Sequence, residues 1–284
     1  MSRGPAEGAA RARLAELLAR EPVPLAEAAL ALALDEYPGL EPGPYLARLD
    51  ALAARVRAAA GAGRAAGLLR ALRQVLHDEE GLQGNTQDYY DPRNSWLNEV
   101  LDRRLGIPIS LSVVTIEVAA RAGLTLEGVG FPGHFLVRYA PPGGPEVLVD
   151  AFNGWELLSA DEVLVRARGA VPGRQGQPLD TRSLQAAGPR QILARMLGNL
   201  QRIWEERKDD VRRWAALDLA LVVAPGQLEA LRERGLAAAR LGAIAAARRD
   251  LEAYLAQAAK AEDAGEVRAV LDGLARAGGG FLLN

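Results

Sequence analysis

A strongly apolar segment of the chain lies near its middle, at residues 106–122. Pro108 suits the first turn of a helix, where its missing N–H costs nothing, and Gly123 can adopt the left-handed conformation that ends one. Apolar residues on nearly every side predict a helix surrounded by protein. They are Leu111, Val113, Val114, Ile116, Val118, Ala119 and Ala120. Ser110 and Ser112 lie at its N-terminal end, beside unpaired backbone N–H groups and the positive end of the helix dipole.

Three strand-like segments follow this helix, at residues 126–129, 131–139 and 147–150. The second of them alternates around His134. Residues 139–145 contain three prolines and two glycines, so they predict a loop that lets the last two segments pair as a hairpin. The expected core is therefore one buried helix followed by a small antiparallel sheet.

The first 75 residues are rich in Ala, Leu, Arg and Glu, and prolines divide them into short helical segments. Two apolar stripes at helical spacing support this interpretation. One comprises Leu25, Ala29, Leu32 and Ala33, and the other comprises Tyr45, Leu46, Leu49, Leu52 and Val56. We predict a helical N-terminal region at residues 1–75, suited to packing rather than chemistry, and a core domain at residues 76–170.

Prolines and glycines concentrate again at residues 171–189, which predicts a linker. Beyond it the pattern is helical. The pair Asp218-Leu219 recurs as Asp250-Leu251, 32 residues later, which is close to the helix-turn-helix repeat period of about 34 residues. We therefore predict that residues 190–284 form a short tetratricopeptide-like array.

Composition narrows the class of protein. The 284 residues include 34 basic and 36 acidic side chains, so there is no excess positive charge to attract nucleic acid. No apolar segment approaches the length of a membrane span, and the N-terminus lacks a continuous hydrophobic signal segment. We expect a soluble, cytoplasmic protein that binds neither nucleic acid nor membranes. Its oligomeric state does not follow from the sequence.

The chain contains no cysteine, which excludes disulfides, thiolate zinc sites and a cysteine nucleophile. His77 and His134 are the two imidazoles, and no H-x-x-x-H pair exists, so no metal site is predicted. His134 opens one strand and Asp150 ends the next, so a hairpin can bring them together. Ser110 or Ser112 would complete a set of nucleophile, base and orienting acid, with helix N–H groups as oxyanion donors. The alternative from spacing alone is structural: a helix cap, a packed strand residue and a turn former.

The polar segment at residues 84–94 is rich in turn formers. It predicts an ordered loop that either lines a cleft or serves only as a connector, and both interpretations are open. Asp88, Asp91 and Glu99 offer carboxylates for a divalent cation, but in no recognised spacing. The glycines at 128–133 match G-x-G-x-x-G but precede a strand rather than a helix, so no nucleotide or other cofactor is predicted.

Several motifs in this central part resemble one family. They are Glu80-Gly-Leu-Gln-Gly-Asn85, the run at 88–111 that begins Asp-Tyr-Tyr-Asp-Pro and ends Gly-Ile-Pro-Ile-Ser-Leu, Gly130-Phe-Pro-Gly-His-Phe-Leu-Val137, and Val149-Asp150. Over residues 80–155 the chain resembles the bacterial Sir-B-type transglutaminase-like proteins. The resemblance implies an α+β fold, in which a papain-like transglutaminase core is flanked by a helical N-terminal region and tetratricopeptide-like C-terminal helices.

The working triad of this superfamily is Cys, His and Asp in that chain order. The resemblance places His134 and Asp150 at the His and Asp positions, and Ser110, or less well Ser112, at or near the Cys position. The residues after Asp150 are Ala-Phe-Asn-Gly-Trp, where the family usually has Pro-Phe-Asn-Gly-Gly. The missing cysteine is the larger departure.

Two functions are compatible with these residues. The first is a non-catalytic module, a pseudoenzyme, that binds a protein or peptide partner. The second is a serine-dependent amide or ester hydrolase, or an acyl transferase, with Ser110 as nucleophile, His134 as base and Asp150 as orienting acid. A thiol is activated as a thiolate, whereas serine must lose its proton to a base during attack. The missing thiol therefore favours the first function, and neither function calls for a cofactor.

Overall fold

The structure, a computed structural model, describes residues 8–61, 65–131, 133–141, 143–144, 146–163, 165 and 185–279. The chain divides into two compact units, Met1–Met196 and Leu197–Asn284. Most of the linker predicted at residues 171–189 lies outside the described residues, which resume at residue 185. The domain boundaries proposed from the sequence therefore stay predictions.

Four α-helices begin the first unit: α1 (Ala9–Leu18), α2 (Leu25–Ala31), α3 (Pro42–Ala60) and α4 (Ala65–Leu72). As predicted, prolines separate the first three helices, since Pro24 precedes α2 and Pro42 begins α3, whereas Gly61 ends α3. The predicted stripe that begins at Leu25 and ends at Ala33 is buried throughout. On α3 the buried members of the predicted stripe are Leu49, Leu52 and Val56, whereas Tyr45 and Leu46 are half-buried.

The segment between α4 and the central helix contains only short elements. They are a π-helix (Arg73–Glu79), β1 (Gln83–Gly84), a 3-10 helix (Pro92–Asn94), α5 (Leu97–Arg103) and β2 (Leu105–Gly106). β1 and β2 pair in parallel, with Gly84 opposite Gly106. This pairing joins the start of the polar loop at 84–94 to the residues just before the central helix.

The central helix is α6 (Pro108–Ala122), and its predicted ends are confirmed. Pro108 is its first residue, and Gly123 ends it with a φ of 90°. Eleven of its fifteen residues are buried, and it packs against α2, α3, α4 and α5. Ile116 is half-buried and Ala120 is exposed, so one edge of the helix reaches the surface, contrary to the expectation of burial on nearly every side.

The main sheet has five strands in the order β6-β5-β4-β3-β7, and each neighbouring pair is antiparallel. They are β3 (Glu127–Phe131), β4 (His134–Tyr139), β5 (Val147–Asp150), β6 (Glu156–Leu158) and β7 (Ala186–Ala187). The predicted hairpin is β4 and β5, with Val137 opposite Val149. β6 and β7 were not predicted, because strands of three and two residues are too short to show an alternating hydrophobic pattern. β7 also lies within the range predicted as linker.

Both faces of this sheet are covered. Val129, Leu136, Leu148, Leu158 and Val163 form one core cluster. Successive strand residues point to opposite faces, so Phe135, Val137 and Val149 face the other side, where they are also buried. The alternation predicted around His134 is therefore not found in β4, where Phe135, Leu136 and Val137 are all buried because both faces of the sheet are covered.

The second unit is helical, as predicted. Its helices are α8 (Asp210–Val223), α9 (Leu228–Arg240), α10 (Ile244–Gln257) and α11 (Ala264–Gly279), and α7 (Pro189–Glu206) contains the boundary between the units. In the ranges that the structure describes, no helix is both long and apolar enough to cross a membrane.

The two aspartates of the repeated Asp-Leu pair bind the same arginine in the second unit. Asp218 Oδ1 accepts from Arg234 Nη1 at 2.6 Å, and Asp250 Oδ2 accepts from Arg234 Nε at 2.6 Å. Arg234 lies 16 residues from each aspartate, so it binds the equivalent residue of both repeats. The leucines that follow, Leu219 and Leu251, are buried. This cluster sets the register of α8, α9 and α10.

Candidate functional site

His134 and Asp150 lie side by side at one end of the sheet. His134 begins β4 after a turn in which Gly133 has a φ of 78°, and Asp150 ends β5. The register that pairs Val137 with Val149, continued by one pair, makes His134 and Asp150 diagonal neighbours. His134 Nε2 lies 2.7 Å from Asp150 Oδ2. The structure therefore brings these two site residues together.

Asp150 is buried and accepts three hydrogen bonds besides that of the imidazole. Its Oδ1 accepts the backbone N–H groups of Phe152 and Asn153, each at 3.1 Å, and its Oδ2 accepts from Asn153 Nδ2 at 2.9 Å. Burial alone raises the pKa of Asp150, but the hydrogen bonds from His134 and Asn153 outweigh burial and bring the pKa below its ordinary value. Asp150 is therefore ionised at neutral pH.

The ionised carboxylate determines which nitrogen of His134 carries a proton. A carboxylate can only accept, so Nε2 must donate, and in the neutral ring Nδ1 is then the basic nitrogen. The His134 side chain is 18% exposed, whereas that of Asp150 is 2% exposed. The pair thus consists of a buried anion and an imidazole in contact with solvent, an arrangement that suits either a general base or a polar binding group.

Phe152 connects this pair to the polar loop at 84–94. Its ring centroid lies 6.2 Å from that of His134 and 5.8 Å from that of Tyr89, both in edge-to-face geometry. A Cβ on Gly84 would lie 2.6 Å from the Phe152 ring, so glycine is needed for this close approach. These contacts favour the interpretation that the loop lines the site.

Ser110, the third residue of α6, has no exposed surface. Its Oγ donates to the carbonyl of Asn94 at 2.6 Å, with the carbonyl of Ile107 at 3.1 Å, and accepts from the Ile107 N–H at 3.0 Å. A Cβ on Gly106 would lie 2.8 Å from this Oγ. The hydroxyl therefore joins the start of α6 to the polar loop through backbone groups.

Ser112, the alternative nucleophile, is also fully buried, and its Oγ donates to the carbonyl of Pro108 at 2.7 Å. Both serines are thus hydrogen-bonded to the backbone, and the hydrogen bonds of Ser110 do not reach the imidazole of His134. The structure brings His134 and Asp150 together, whereas the Ser110 hydroxyl is hydrogen-bonded to the backbone. The nucleophilic role of Ser110 therefore stays a prediction.

Asn94 orders the polar loop from inside. It is fully buried, and its Nδ2 donates to the carbonyls of Asp88 at 2.7 Å and Tyr89 at 3.2 Å. Its Oδ1 accepts from Asn85 Nδ2 at 3.1 Å. Because buried backbone carbonyls need partners, this side chain stabilises the loop while its own carbonyl accepts from Ser110.

The carboxylates considered for a cation do not assemble. Asp91 pairs with Arg93 at 2.8 Å and with Arg103 at 3.1 Å. No group of three His, Asp or Glu side chains suited to a metal ion occurs within the described ranges. The glycine pattern at 128–133 lies in β3 and in the turn before β4, where a nucleotide-binding motif would need the start of a helix.

The turn after Asp150 departs from the family pattern at Trp155. Gly154 and Trp155 have φ values of 68° and 60°. Left-handed backbone suits glycine but costs a residue with a side chain about 1–2 kcal/mol. Trp155 is buried, and its packing offsets part of this cost. The turn therefore keeps a conformation that a second glycine would adopt without strain.

Sequence reasoning missed three residues that support the site: Asn153, Asn94 and Arg195. Asn153 had a detectable signal, because Asp, Asn and Gly at positions 150, 153 and 154 are typical of turns in which Asp and Asn side chains bond nearby backbone. Arg195 Nη2 donates to the backbone carbonyl of His134 at 3.1 Å, across 61 residues of sequence, and Asn94 binds Ser110 across 16. Contacts at such separations leave no local pattern.

A His–Asp pair on adjacent antiparallel strands, preceded in the chain by a buried helix, is the arrangement expected for the papain-like transglutaminase class of fold. The profile of the transglutaminase-like superfamily matches residues 44–198, and a tetratricopeptide repeat profile matches residues 200–272. The chain belongs to the transglutaminase-like superfamily, with a tetratricopeptide repeat region after the core. The predicted family and fold class are confirmed.

Three relatives illustrate the range of similarity. A UPF0162 protein of Xylella fastidiosa is 42% identical over 240 residues, which cover 83% of this chain and 84% of that protein. A UPF0162 protein of Pseudomonas aeruginosa is 35% identical over 66% of this chain and 67% of its own length. Human F-box only protein 21 is 31% identical over 58% of this chain but only 26% of its own length. No solved structure matches the chain.

Proposed function

We propose that this protein is a non-catalytic binding module whose transglutaminase-like domain and helical repeats recognise a protein or peptide partner in the cytoplasm. The observation that carries the proposal is the environment of Ser110. Its hydroxyl has no exposed surface and gives its hydrogen to a backbone carbonyl, and the chain contains no cysteine. A nucleophile must instead reach substrate and transfer its proton to the base.

The retained His134–Asp150 pair is compatible with binding alone. Asp150 accepts the backbone N–H groups of residues 152 and 153, so it stabilises the turn after β5. His134 then presents a polar, partly exposed ring beside Phe152. The repeat region supports the same function, because stacked helical repeats build the extended surfaces that such proteins use for binding.

A second candidate, a serine-dependent amide or ester hydrolase or acyl transferase, is favoured by one observation. With Nε2 on Asp150, His134 keeps Nδ1 as a basic nitrogen. This mechanism requires the Ser110 hydroxyl to leave Asn94 and turn towards His134. Such a rotation would leave the Ile107 N–H and the Asn94 carbonyl without the bonds they now make.

Covalent labelling separates the two candidates. The full-length protein is incubated with a biotinylated fluorophosphonate, and labelled peptides are located by mass spectrometry. We expect no label on Ser110, and we expect p-nitrophenyl acetate to be hydrolysed equally by the wild type and by His134→Ala. Label on Ser110 that disappears in His134→Ala, but persists in Ser112→Ala, would establish the hydrolase and contradict the binding proposal.

Peptide selection tests the binding function directly. A random peptide library displayed on phage is selected on the immobilised wild-type protein, and the affinity of synthetic hits is measured by isothermal titration. We expect His134→Ala or Asp150→Ala to weaken binding, while Ser112→Ala leaves it unchanged. Failure to select any peptide, or hits that bind all variants equally, would contradict recognition at this site.

A further inference from the structure

A cavity of about 520 Å³ lies beside the edge strand β7. Its walls include Gly130 of β3, both residues of β7, and Gln191, Ala194 and Arg195 on the first turns of α7. β7 ends the order of the described strands, and both of its residues line the cavity. A volume of this size is within the usual range of ligand sites, about 300–1,000 Å³.

Arg195 is the charged residue of this lining, and contacts on several sides fix its position. Its Nη2 donates to the carbonyl of His134 at 3.1 Å, and its Cζ lies 5.3 Å from the centroid of the Phe135 ring. Gly130 faces the guanidinium, and a Cβ there would collide with Nη1. Contacts with residues of β3 and β4 therefore hold the guanidinium at the cavity.

The chemistry of the cavity suits an anion. The described lining residues other than Arg195 are glycine, alanine and glutamine, so among the residues that the structure describes the lining contributes one positive and no negative charge. A guanidinium has five N–H donors, and its planar fork matches a carboxylate. Gln191 Oε1 accepts the Gly188 N–H at 2.9 Å, which leaves Nε2 as the donating end of its side chain.

We propose that this cavity binds the free C-terminal carboxylate of a peptide, which Arg195 contacts while the last residues of the peptide lie against the edge of β7. The inference rests on the proposed function, peptide binding, and names the chemical group that is recognised. An exposed strand edge offers main-chain hydrogen bonds to an extended peptide. Since β7 has only two residues, the end group must supply much of the recognition.

Defined probes test the proposal on the full-length protein. The probes are Gly-Ala-Ala-Ala with a free carboxylate, the same peptide as its C-terminal amide, and Gly-Ala-Glu-Ala as its C-terminal amide. Binding is followed by the ¹⁵N–¹H NMR signals of the Arg195 Nε group and of the β7 amides. We expect the free-carboxylate probe to shift these signals with an affinity about ten- to one-hundredfold above that of its amide, as for a charge-assisted hydrogen bond.

Matched variants assign the effect to Arg195. Arg195→Gln should lower affinity for the free-carboxylate probe to the level of the amide, and Arg195→Lys should retain part of it because the charge remains without the fork. Arg190→Gln is the control, since Arg190 lies on the same helix but binds the carbonyl of Leu18 at 2.7 Å. If Arg195→Gln does not fold, the comparison of probes on the wild type and on Arg195→Lys carries the test.

Three results would overturn the inference. Equal affinity for the carboxylate and amide probes would show that the end group is not recognised. Stronger binding of the internal-glutamate probe would assign the site to an acidic side chain instead. Phage-selected peptides that bind wild type and Arg195→Gln equally would leave Arg195 as a structural contact to β4, and the proposed binding function would stand. Absence of any selected peptide from a library displayed with free C-termini would remove both proposals.

Discussion

Buried carboxylates occur in both units of the molecule, and their partners differ. In the repeat unit, Asp218 and Asp250 share Arg234, and all three side chains are close to fully buried. In the transglutaminase-like unit, Asp150 is as buried as Asp250, but its partner is His134, which remains 18% exposed. Arginine stays charged at any ordinary pH, whereas an imidazole can titrate near neutrality.

The difference teaches that a buried acid is not by itself a sign of function. The cluster around Arg234 joins two aspartates to one guanidinium between three helices, and Arg249 adds a second positive charge 3.2 Å from Asp250. The pair at Asp150 leaves a partly exposed imidazole ring beside Phe152. A buried cluster held by arginine serves register and stability, whereas a carboxylate paired with a partly exposed imidazole can also contact a ligand, so the two should respond differently to substitution.

The largest expected effect is that of Arg234→Met. The substitution leaves Asp218 and Asp250 buried without the guanidinium, and removing one partner of a buried ion pair costs about 3–5 kcal/mol. Denaturant unfolding should show this loss in the free energy of unfolding. Hydrogen-exchange mass spectrometry should locate the faster exchange in α8, α9 and α10.

Arg248→Met is the matched control, because Arg248 pairs with Glu252 on a surface where both side chains are about half exposed. Exposed pairs contribute little to stability, so this variant should unfold almost as the wild type does. If Arg234→Met were equally mild, the cluster would not set the helix register as we infer.

The next effect is that of Asp150→Asn, and it depends on pH. The amide cannot satisfy all four donors that now bind the carboxylate, so we expect a loss of about 1–3 kcal/mol at pH 7. Because folding lowers the pKa of Asp150, the stabilisation is fully present above the unfolded pKa of about 3.9 and is lost as pH falls below it. The gap between wild type and variant should therefore narrow from pH 5 to pH 3.

Urea unfolding at pH 7, 5, 4 and 3 measures this gap. Asp78→Asn is the control, since Asp78 is exposed and lies 3.9 Å from Arg73. That variant should differ little from the wild type at every pH. A constant gap for Asp150→Asn would mean that the carboxylate gains nothing from its hydrogen bonds in the folded state.

A smaller effect should distinguish Ser110 from Ser112. Ser110→Ala removes partners from the Ile107 N–H and the Asn94 carbonyl, and unpaired buried groups cost about 1–2 kcal/mol. Ser112→Ala removes a bond to Pro108, whose carbonyl also lies within the hydrogen-bonding pattern of α6, so it should cost less. Thermal unfolding compares the two variants. A neutral or stabilising Ser110→Ala would instead be typical of a residue retained for chemistry.

Sequence patterns predicted several elements because their signals are local. The start and end of α6 depend on Pro108 and Gly123, the β4–β5 hairpin depends on the turn formers at 139–145, and the His134–Asp150 contact follows from that hairpin. β6 and β7 could not be predicted, because short strands take their structure from the neighbours with which they pair. The family motif pointed to Ser110 but not to its hydrogen bonds.

Periodicity, proline and glycine placement and the cysteine count were sufficient for the α+β class, the buried helix, the repeat region and the exclusion of thiol chemistry. The folded chain alone decided that Ser110 bonds to Asn94, that one arginine serves both repeated aspartates, and that Arg195 reaches the carbonyl of His134. Each of these contacts joins residues 16 or more positions apart. Their energies depend on distance and burial in space, and neither quantity is a property of neighbouring residues along the chain.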